Sequence, residues 1–158
     1  MSRYDAVSLG IIWDRLISIT DETLSSLVRT SFSTNVRESY DLSCMLFDSK
    51  MRSIAQGTYS VPSFTGTAPN TVRKMLEKYP PHTLRDGDVL ATNDPWIGTG
   101  HIYDINVLRP IFYRGRIVAY SLSITHLPDI GGLGFSATAR QVYEEGLRLP
   151  VVKLVEEG

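Results

Sequence analysis

Residues 104–126, DINVLRPIFYRGRIVAYSLSITH, contain two runs of strand-forming residues on either side of the short sequence YRGR. Two such runs separated by a short stretch that contains Gly are typical of a β-hairpin. The stretch therefore predicts two antiparallel strands over about residues 104–112 and 116–125. Because the open ends of a hairpin lie side by side, we expect the loop before the first strand and the loop after the second to meet at one edge of a sheet.

Outward from this hairpin, the N-terminal region predicts one long helix over residues 5–32. Its apolar stripe recurs at spacings of three and four residues, as in an amphipathic helix, and comprises Leu9, Ile12, Leu16, Ile19, Thr23 and Leu27. We expect this stripe to pack against the core. Residues 39–57, SYDLSCMLFDSKMRSIAQG, then alternate between apolar and polar side chains around a DSK turn and predict a second hairpin.

The segment between the two hairpins predicts a loop, a short helix and a strand. Residues 58–70 are rich in Ser, Thr, Gly and Pro and favour a loop. Asn70 is a suitable N-cap for a helix over 71–78, and the following prolines end it. A turn at Asp86-Gly87 leads into a strand. The predicted fold is α+β, with a long N-terminal helix followed by mainly antiparallel strands and a short helix, in a single domain over residues 1–158.

Composition excludes several classes of function. The chain has 16 basic and 17 acidic residues mixed along its length and no basic stripe, so nucleic acid is not an expected partner. No apolar run approaches the ~20 residues needed to span a bilayer, and no membrane partner is expected. The first ten residues lack the apolar core of a secretion signal. The single cysteine, Cys44, is interpreted as a buried structural thiol, and a cytoplasmic location is expected.

Two of the three histidines lie at the predicted open end of the 104–126 hairpin. His101 and His126 are each followed three residues later by an aspartate, in HIYD and HLPD, and each lies near glycines. Two imidazoles and a carboxylate are a common ligand set for Mn, Fe or Zn. The pattern alone leaves a structural polar network and metal-free acid–base chemistry open as alternatives. His82, beside two prolines, is interpreted as a surface residue.

Four stretches, taken in order, resemble the hydantoinase B/oxoprolinase family: RTSFSTNVRESYDLSCMLFD (29–48), GDVLATNDPWIGTGHIYDINVLRPIF (87–112), THLPDIGG (125–132) and EEGLRLPVVKL (144–154). That family includes N-methylhydantoinase B subunits, the C-terminal half of 5-oxoprolinases and the catalytic subunits of acetone carboxylases. Family members are several hundred residues long, so the chain resembles their N-terminal part. Two departures lie beside the histidines: the run Gly98-Thr99-Gly100 differs in order from the family pattern, and Thr125 occupies a position where the family often has a further histidine.

The resemblance implies a metal held by His101, Asp104 and His126, with manganese preferred and iron or zinc as alternatives. It also implies roles at the active site for Asp94 and Asp129, as residues that orient a ligand imidazole or shape its loops. The implied partner is an A-type subunit that uses ATP to activate a cyclic amide or a ketone, followed by hydrolysis or carboxylation at the B-type site. Arg29 and Asp41 are further candidates to reach this site, with ordinary surface positions as the alternative.

Two other functions remain open from the sequence. One is a non-catalytic or degenerate subunit that stabilises such a complex, and the other is an iron oxygenase with a two-histidine, one-carboxylate site. The chain contains no phosphate-binding loop of the G-x-x-x-x-G-K-[ST] type, so we expect no turnover from it alone. Its last residues, LPVVKLVEEG, predict an exposed apolar run without a closing element, which favours contact with the remainder of a B-type subunit or with a second chain.

Overall fold

The computed structural model describes residues 4–134 and 136–158; residues 1–3 of the N-terminal segment and Phe135 lie outside them. The described part confirms the α+β prediction. Its helices are α1 (Ala6–Thr30), α2 (Thr34–Ser39), α3 (Phe64–Lys78) and α4 (Val142–Glu145), with a short 3-10 helix at Pro81–Thr83. Its strands are β1 (Leu42–Asp48), β2 (Ser53–Gln56), β3 (Val89–Thr92), β4 (Asp104–Tyr113), β5 (Arg116–His126) and β6 (Val152–Val155). They form one antiparallel sheet in the order β2-β1-β5-β4-β3-β6.

The β4–β5 hairpin, which the sequence predicted, occupies the middle of the sheet. Side chains alternate between the two faces of a strand, so every second residue of β4 and β5 points into the core. On β5 this inward set runs from Tyr120 through Leu122 and Ile124 to His126, and α3 packs on the apolar part of it. The inward face of the hairpin thus changes from apolar to polar at its open end.

Helix α1 confirms the predicted helix and only part of its predicted packing. Leu24 and Thr20 are the residues that α1 buries, and Leu24 packs on Leu42 and Cys44 of β1. Most of the predicted stripe faces elsewhere, since Leu9, Ile12 and Ile19 are 48%, 43% and 38% exposed, whereas Leu27 packs on the Leu24 cluster. At 100° per residue, that stripe lies roughly a quarter-turn away from Leu24. The helix carries two apolar stripes, and its periodicity does not tell which of them meets the sheet.

Helix α3 begins seven residues earlier than predicted, at Phe64 instead of Thr71, and includes Pro69. Asn70 is therefore not its N-cap. Proline in a helix interior removes one backbone hydrogen bond and costs about 3 kcal/mol. The burial of Phe64 and Ala68 within the first turns offsets this cost, a gain that depends on the sheet beneath them. The helix ends at Lys78, before Tyr79 and Pro80, as predicted.

The C-terminal segment also differs from the prediction. Its apolar run forms β6, an edge strand that pairs with β3, so the run is part of the sheet and not an unpaired segment. Lys153 of β6 makes a 3.0 Å ion pair with the fully buried Asp88. Leu154 nevertheless remains 60% exposed. The short helices α2 and α4 were not predicted, and within residues 4–134 and 136–158 no helix is long and apolar enough to cross a membrane.

Cys44 is buried in β1, in agreement with the interpretation of a structural thiol. Burial raises the pKa of this thiol to about 12, because the thiolate would lose its hydration.

Candidate metal centre

Asp104 and His126 are opposite each other at the open end of the β4–β5 hairpin. They are direct partners in the strand register, and both belong to the inward face. His126 Nδ1 lies 3.1 Å from Asp104 Oδ1. Asp104 is 1% exposed and His126 is 6% exposed, so this contact is screened from solvent. The first residue of one strand and the last residue of its partner therefore form a buried polar pair.

His101 joins this pair from the loop before β4. Its Nε2 lies 3.2 Å from Asp104 Oδ2, so each carboxylate oxygen of Asp104 faces one imidazole. The backbone N–H of Tyr103 donates to His101 Nδ1 at 3.2 Å. One ligand atom from each of His101, Asp104 and His126 lies within 4.8 Å of the other two. The structure thus brings together the three residues for which the resemblance implied a metal.

Asp41, at the entrance to β1, reaches the same cluster. Its carbonyl oxygen accepts a hydrogen bond from the His126 backbone N–H, and its Oδ2 lies 3.6 Å from His126 Nδ1. His126 Nδ1 therefore faces two carboxylates. Arg29 behaves differently, since it lies with the polar residues of α1 on an outer surface. Of these two candidates, Asp41 extends to the site and Arg29 does not.

Tyr103 covers the other side of His126, a contact that the sequence did not reveal. The two rings stack with centroids 5.5 Å apart and an interplanar angle of 14°. The Tyr103 hydroxyl donates to the carbonyl oxygen of Glu145 at 3.2 Å. Burial, together with the negative charges of Glu145 and Asp129, raises the pKa of Tyr103. Tyr103 thereby ties the segment around Glu145 to the histidine cluster.

Asn93 and Asp94 hold the loop that carries His101. The buried side chain of Asn93 donates to the carbonyl oxygens of Ile102 and Leu147, at 2.7 and 2.8 Å. Asp94 forms a 2.6 Å ion pair with Arg148 and accepts the backbone N–H of Trp96. These bonds fasten residues 93–102 to residues 147–149. The polar pattern of the NDPW sequence was the available signal for this role.

Asp129 lies beyond the end of β5 and is exposed. Its Oδ1 accepts the backbone N–H of Gly131 at 2.8 Å, which shapes the turn that follows the strand. Neither Asp94 nor Asp129 forms an ion pair with the His101–Asp104–His126 cluster among the described residues, so their structural role is to organise the adjoining loops.

Two cavities flank His101. The larger, of about 350 Å³, is lined by His101, Tyr103, Gly134, Ser136, Ala137 and Glu145. The smaller, of about 220 Å³, is lined by Pro95, Trp96, Gly100, His101, Val142 and Glu145. Small-molecule sites are concave spaces of this kind with a few convergent polar groups. The cluster of imidazoles and carboxylates is therefore adjacent to space that a small ligand can enter.

Comparison with known proteins gives consistent matches along the chain. The family model described as hydantoinase B/oxoprolinase matches residues 5–158. The 5-oxoprolinase 1 of Arabidopsis thaliana is 36% identical over 98% of this chain, which corresponds to 12% of that relative. Caprolactamase subunit beta of Pseudomonas jessenii is 32% identical over 100% of this chain and 27% of its own length. This chain therefore spans only a small part of these relatives.

Solved structures support the same fold. The crystal structure of the ATP-dependent caprolactamase from Pseudomonas jessenii superposes with a TM-score of 0.83 at 28% identity, over 99% of this chain and 27% of that chain. A nucleotide-free acetone carboxylase structure superposes with a TM-score of 0.81 over 94% of this chain and 20% of that chain. At 23% identity, the second likeness shows a shared fold.

Proposed function

Because the chain belongs to the hydantoinase B/oxoprolinase family, we propose that it forms the metal-binding, N-terminal part of a B-type subunit that hydrolyses a cyclic amide. A partner A-type subunit uses ATP to activate the amide, and the cluster around Asp104 acts on the activated intermediate. Residues 1–158 form one domain of this subunit, and the remaining part of the subunit or a second chain completes the site. The relatives named 5-oxoprolinase and caprolactamase, at 36% and 32% identity, favour hydrolysis over carboxylation.

The buried carboxylate of Asp104 is the observation that carries the metal assignment. Asp104 and Asp41 both face His126, and among the described residues neither of them forms an ion pair with a lysine or arginine. With neutral imidazoles, the buried carboxylate of Asp104 has no compensating positive charge among the described residues, whereas the Asp41 side chain is 36% exposed to solvent. Burying a carboxylate without a counter-charge is strongly unfavourable. A divalent cation among these side chains would supply the missing positive charge.

The donor set and its spacing fit such an ion. Bonds of about 2.0–2.2 Å to nitrogen and oxygen ligands allow ligand atoms to be up to about 4.4 Å apart. The three candidate ligand atoms lie within 4.8 Å of one another, so small side-chain rotations are sufficient. Imidazole and carboxylate together suit manganese, iron or zinc, and the carboxylates favour manganese. The ion would polarise the substrate carbonyl or lower the pKa of a bound water.

The protein side chains have distinct proposed roles. His101, Asp104 and His126 would hold the ion, and Asp41 lies beside the same Nδ1 atom of His126 that faces Asp104. Asp94, through Arg148 and the turn at Trp96, fixes the loop that presents His101. Asp129 shapes the loop after His126 and supports the position of that imidazole through the strand end. We assign Asp94 and Asp129 to positioning the active site.

Metal content tests the assignment, with His82 as the matched control because it is an exposed histidine on the 3-10 helix. After loading with Mn²⁺ and desalting, we expect about one ion per chain in the wild type and in His82→Ala. His101→Ala and Asp104→Asn should lose most of it. Because an imidazole nitrogen must be deprotonated to bind the ion, protons compete with the metal and retention should weaken as the pH falls. Full retention of metal by both variants would refute the site.

Activity is tested with the complete complex. The complete B-type subunit that contains this chain, the A-type subunit and ATP are combined with 5-oxoproline, hydantoin and caprolactam, and ring opening is followed by mass spectrometry. We expect turnover only when both proteins and ATP are present, and none with His101→Ala. A complex that assembles and turns over equally well with His101→Ala would instead support a non-catalytic role for this chain.

A further inference from the structure

Among the described residues, Glu145 and His101 are the two that line both cavities beside the metal centre. The carboxylate of Glu145 forms no ion pair within residues 4–134 and 136–158. Glu144 Oε2 accepts the backbone N–H of Arg140 at 2.7 Å and so is used within its own loop. Glu145 is a half-buried residue in the wall of either cavity.

The backbone at Glu145 is held closely in place. The Tyr103 hydroxyl donates to its carbonyl oxygen, and Leu133 N–H donates to the carbonyl oxygen of Glu144 at 2.9 Å. A Cβ on Gly132 would lie 2.5 Å from the Glu144 carbonyl oxygen and 2.7 Å from the Glu145 carbonyl carbon. The loop after β5 therefore approaches the Glu144–Glu145 backbone as closely as only glycine allows. Such contacts are expected where a side chain must be positioned accurately.

Trp96 also lines the smaller cavity and is 83% exposed. Its exposure does not result from a loose loop. Trp96 N–H donates to Asp94 Oδ1, Gly98 N–H donates to the Asp94 carbonyl oxygen, and the Asp94 carboxylate is anchored by Arg148. A large apolar ring is thus presented to solvent on a well-bonded turn. Aromatic faces of this kind stack with planar groups.

We propose that the cavity between Trp96 and Glu145 binds a planar ring that carries an N–H group. The ring stacks on the indole of Trp96, its N–H donates to the Glu145 carboxylate, and its carbonyl group faces His101. A carboxylate can only accept hydrogen bonds, so the site selects rings with a free N–H and discriminates against N-alkylated rings. This inference rests on the proposed function for the identity of the ring as a cyclic amide, and it assigns the two residues that recognise it.

Binding can be measured without metal or turnover. The chain has two tryptophans, so Trp13→Phe on the exposed side of α1 leaves Trp96 as the single indole fluorophore. In this background, chelator-treated protein is titrated with hydantoin and with 1,3-dimethylhydantoin. We expect saturable quenching by hydantoin and at least about 10-fold weaker binding of the dimethyl compound, since a hydrogen bond to a charged group is lost.

Variants then separate recognition from folding. Glu145→Ala should weaken hydantoin binding by about 10-fold, Glu145→Gln should have an intermediate effect, and Glu144→Gln should leave it unchanged. Trp96→Ala, examined by calorimetry, should lose most of the binding. Far-ultraviolet circular dichroism checks that each variant is folded.

The inference is overturned if hydantoin produces no saturable signal up to its solubility limit. Equal affinity for the two compounds, or an unchanged affinity in Glu145→Ala, would overturn it as well. Metal content is scored separately. Metal binding without ring recognition refutes this inference alone, whereas ring recognition without metal binding refutes only the metal centre.

Discussion

Adjacent glycines after β5 provide a sharp test of how the loop holds Glu145. Gly131 and Gly132 both have positive φ, +81° and +69°, so alanine at either site costs about 1–2 kcal/mol from the backbone alone. The surroundings differ. A Cβ on Gly131 meets no atom within 4 Å, whereas a Cβ on Gly132 would lie 2.5 Å from a backbone oxygen. Forcing an extra carbon into such a contact adds about 1–3 kcal/mol.

Gly132→Ala should therefore be less stable than Gly131→Ala by about 1–3 kcal/mol. Unfolding entropy of about 2.1 cal/mol/K per residue predicts that a 2 kcal/mol difference lowers the melting temperature by roughly 6 °C for a chain of this size. Urea unfolding of the two variants, followed by circular dichroism, measures the difference directly. Hydantoin binding should also fall further in Gly132→Ala. Equal free energies of unfolding would show that the two loops are not in tight contact and would remove the support for a fixed Glu145.

Three other properties are open to direct measurement. Leu24→Ala should reduce the free energy of unfolding, measured in urea, by about 2–5 kcal/mol. Ile12→Ala should have a much smaller effect, because Ile12 is 43% exposed. The reverse order would mean that the stripe containing Ile12, and not Leu24, packs on the sheet. Cys44, with a pKa raised to about 12, should not react with a thiol reagent at pH 8 until urea unfolds the chain, and rapid labelling of the folded protein would contradict its burial. Burial opposes the ionisation of Asp88, but hydrogen bonds from the Arg85 and Glu157 amides and from Lys153 lower its pKa overall. The ionised carboxylate therefore stabilises the fold fully at neutral pH. This stabilisation is lost as the pH falls below about 4, through the folded pKa of Asp88. Asp88→Asn should therefore be less stable than wild type at pH 7, with a gap in melting temperature that narrows under acid, and a constant gap from pH 7 to pH 3 would refute this.

The candidate site was predictable to the extent that it is built from local pattern. His101 and His126 flank a hairpin whose strands and turn all lie within residues 104–126, and hairpin pairing follows from short-range sequence. The convergence of Asp104 with both imidazoles follows from that pairing. Asp41 was a candidate from its place before the first strand, but its contact with His126 depends on β1 lying beside β5.

The contacts that the sequence did not reveal join segments far apart along the chain. Tyr103 meets Glu145, and Asn93 meets Leu147, across more than forty residues. The sequence showed the acids of the EEGLRLP stretch but could not show that one of them lines a cavity beside His101. Loop contacts of this kind have no periodic signature, because they depend on the positions of two separately placed backbones.

What the sequence by itself determined was the set of elements with short-range causes: the long α1, the two hairpins, the end of α3 before Pro80 and the polar residues at the open end of β4 and β5. Backbone propensity, turn chemistry and alternation of side chains act over a few residues and can be seen without a partner. The tertiary structure alone decided which stripe of α1 is buried, that α3 extends back through Pro69, and that the C-terminal run becomes an edge strand. Each of these depends on apolar area or hydrogen bonds supplied by a distant strand, and such long-range burial can outweigh a local preference of a few kcal/mol.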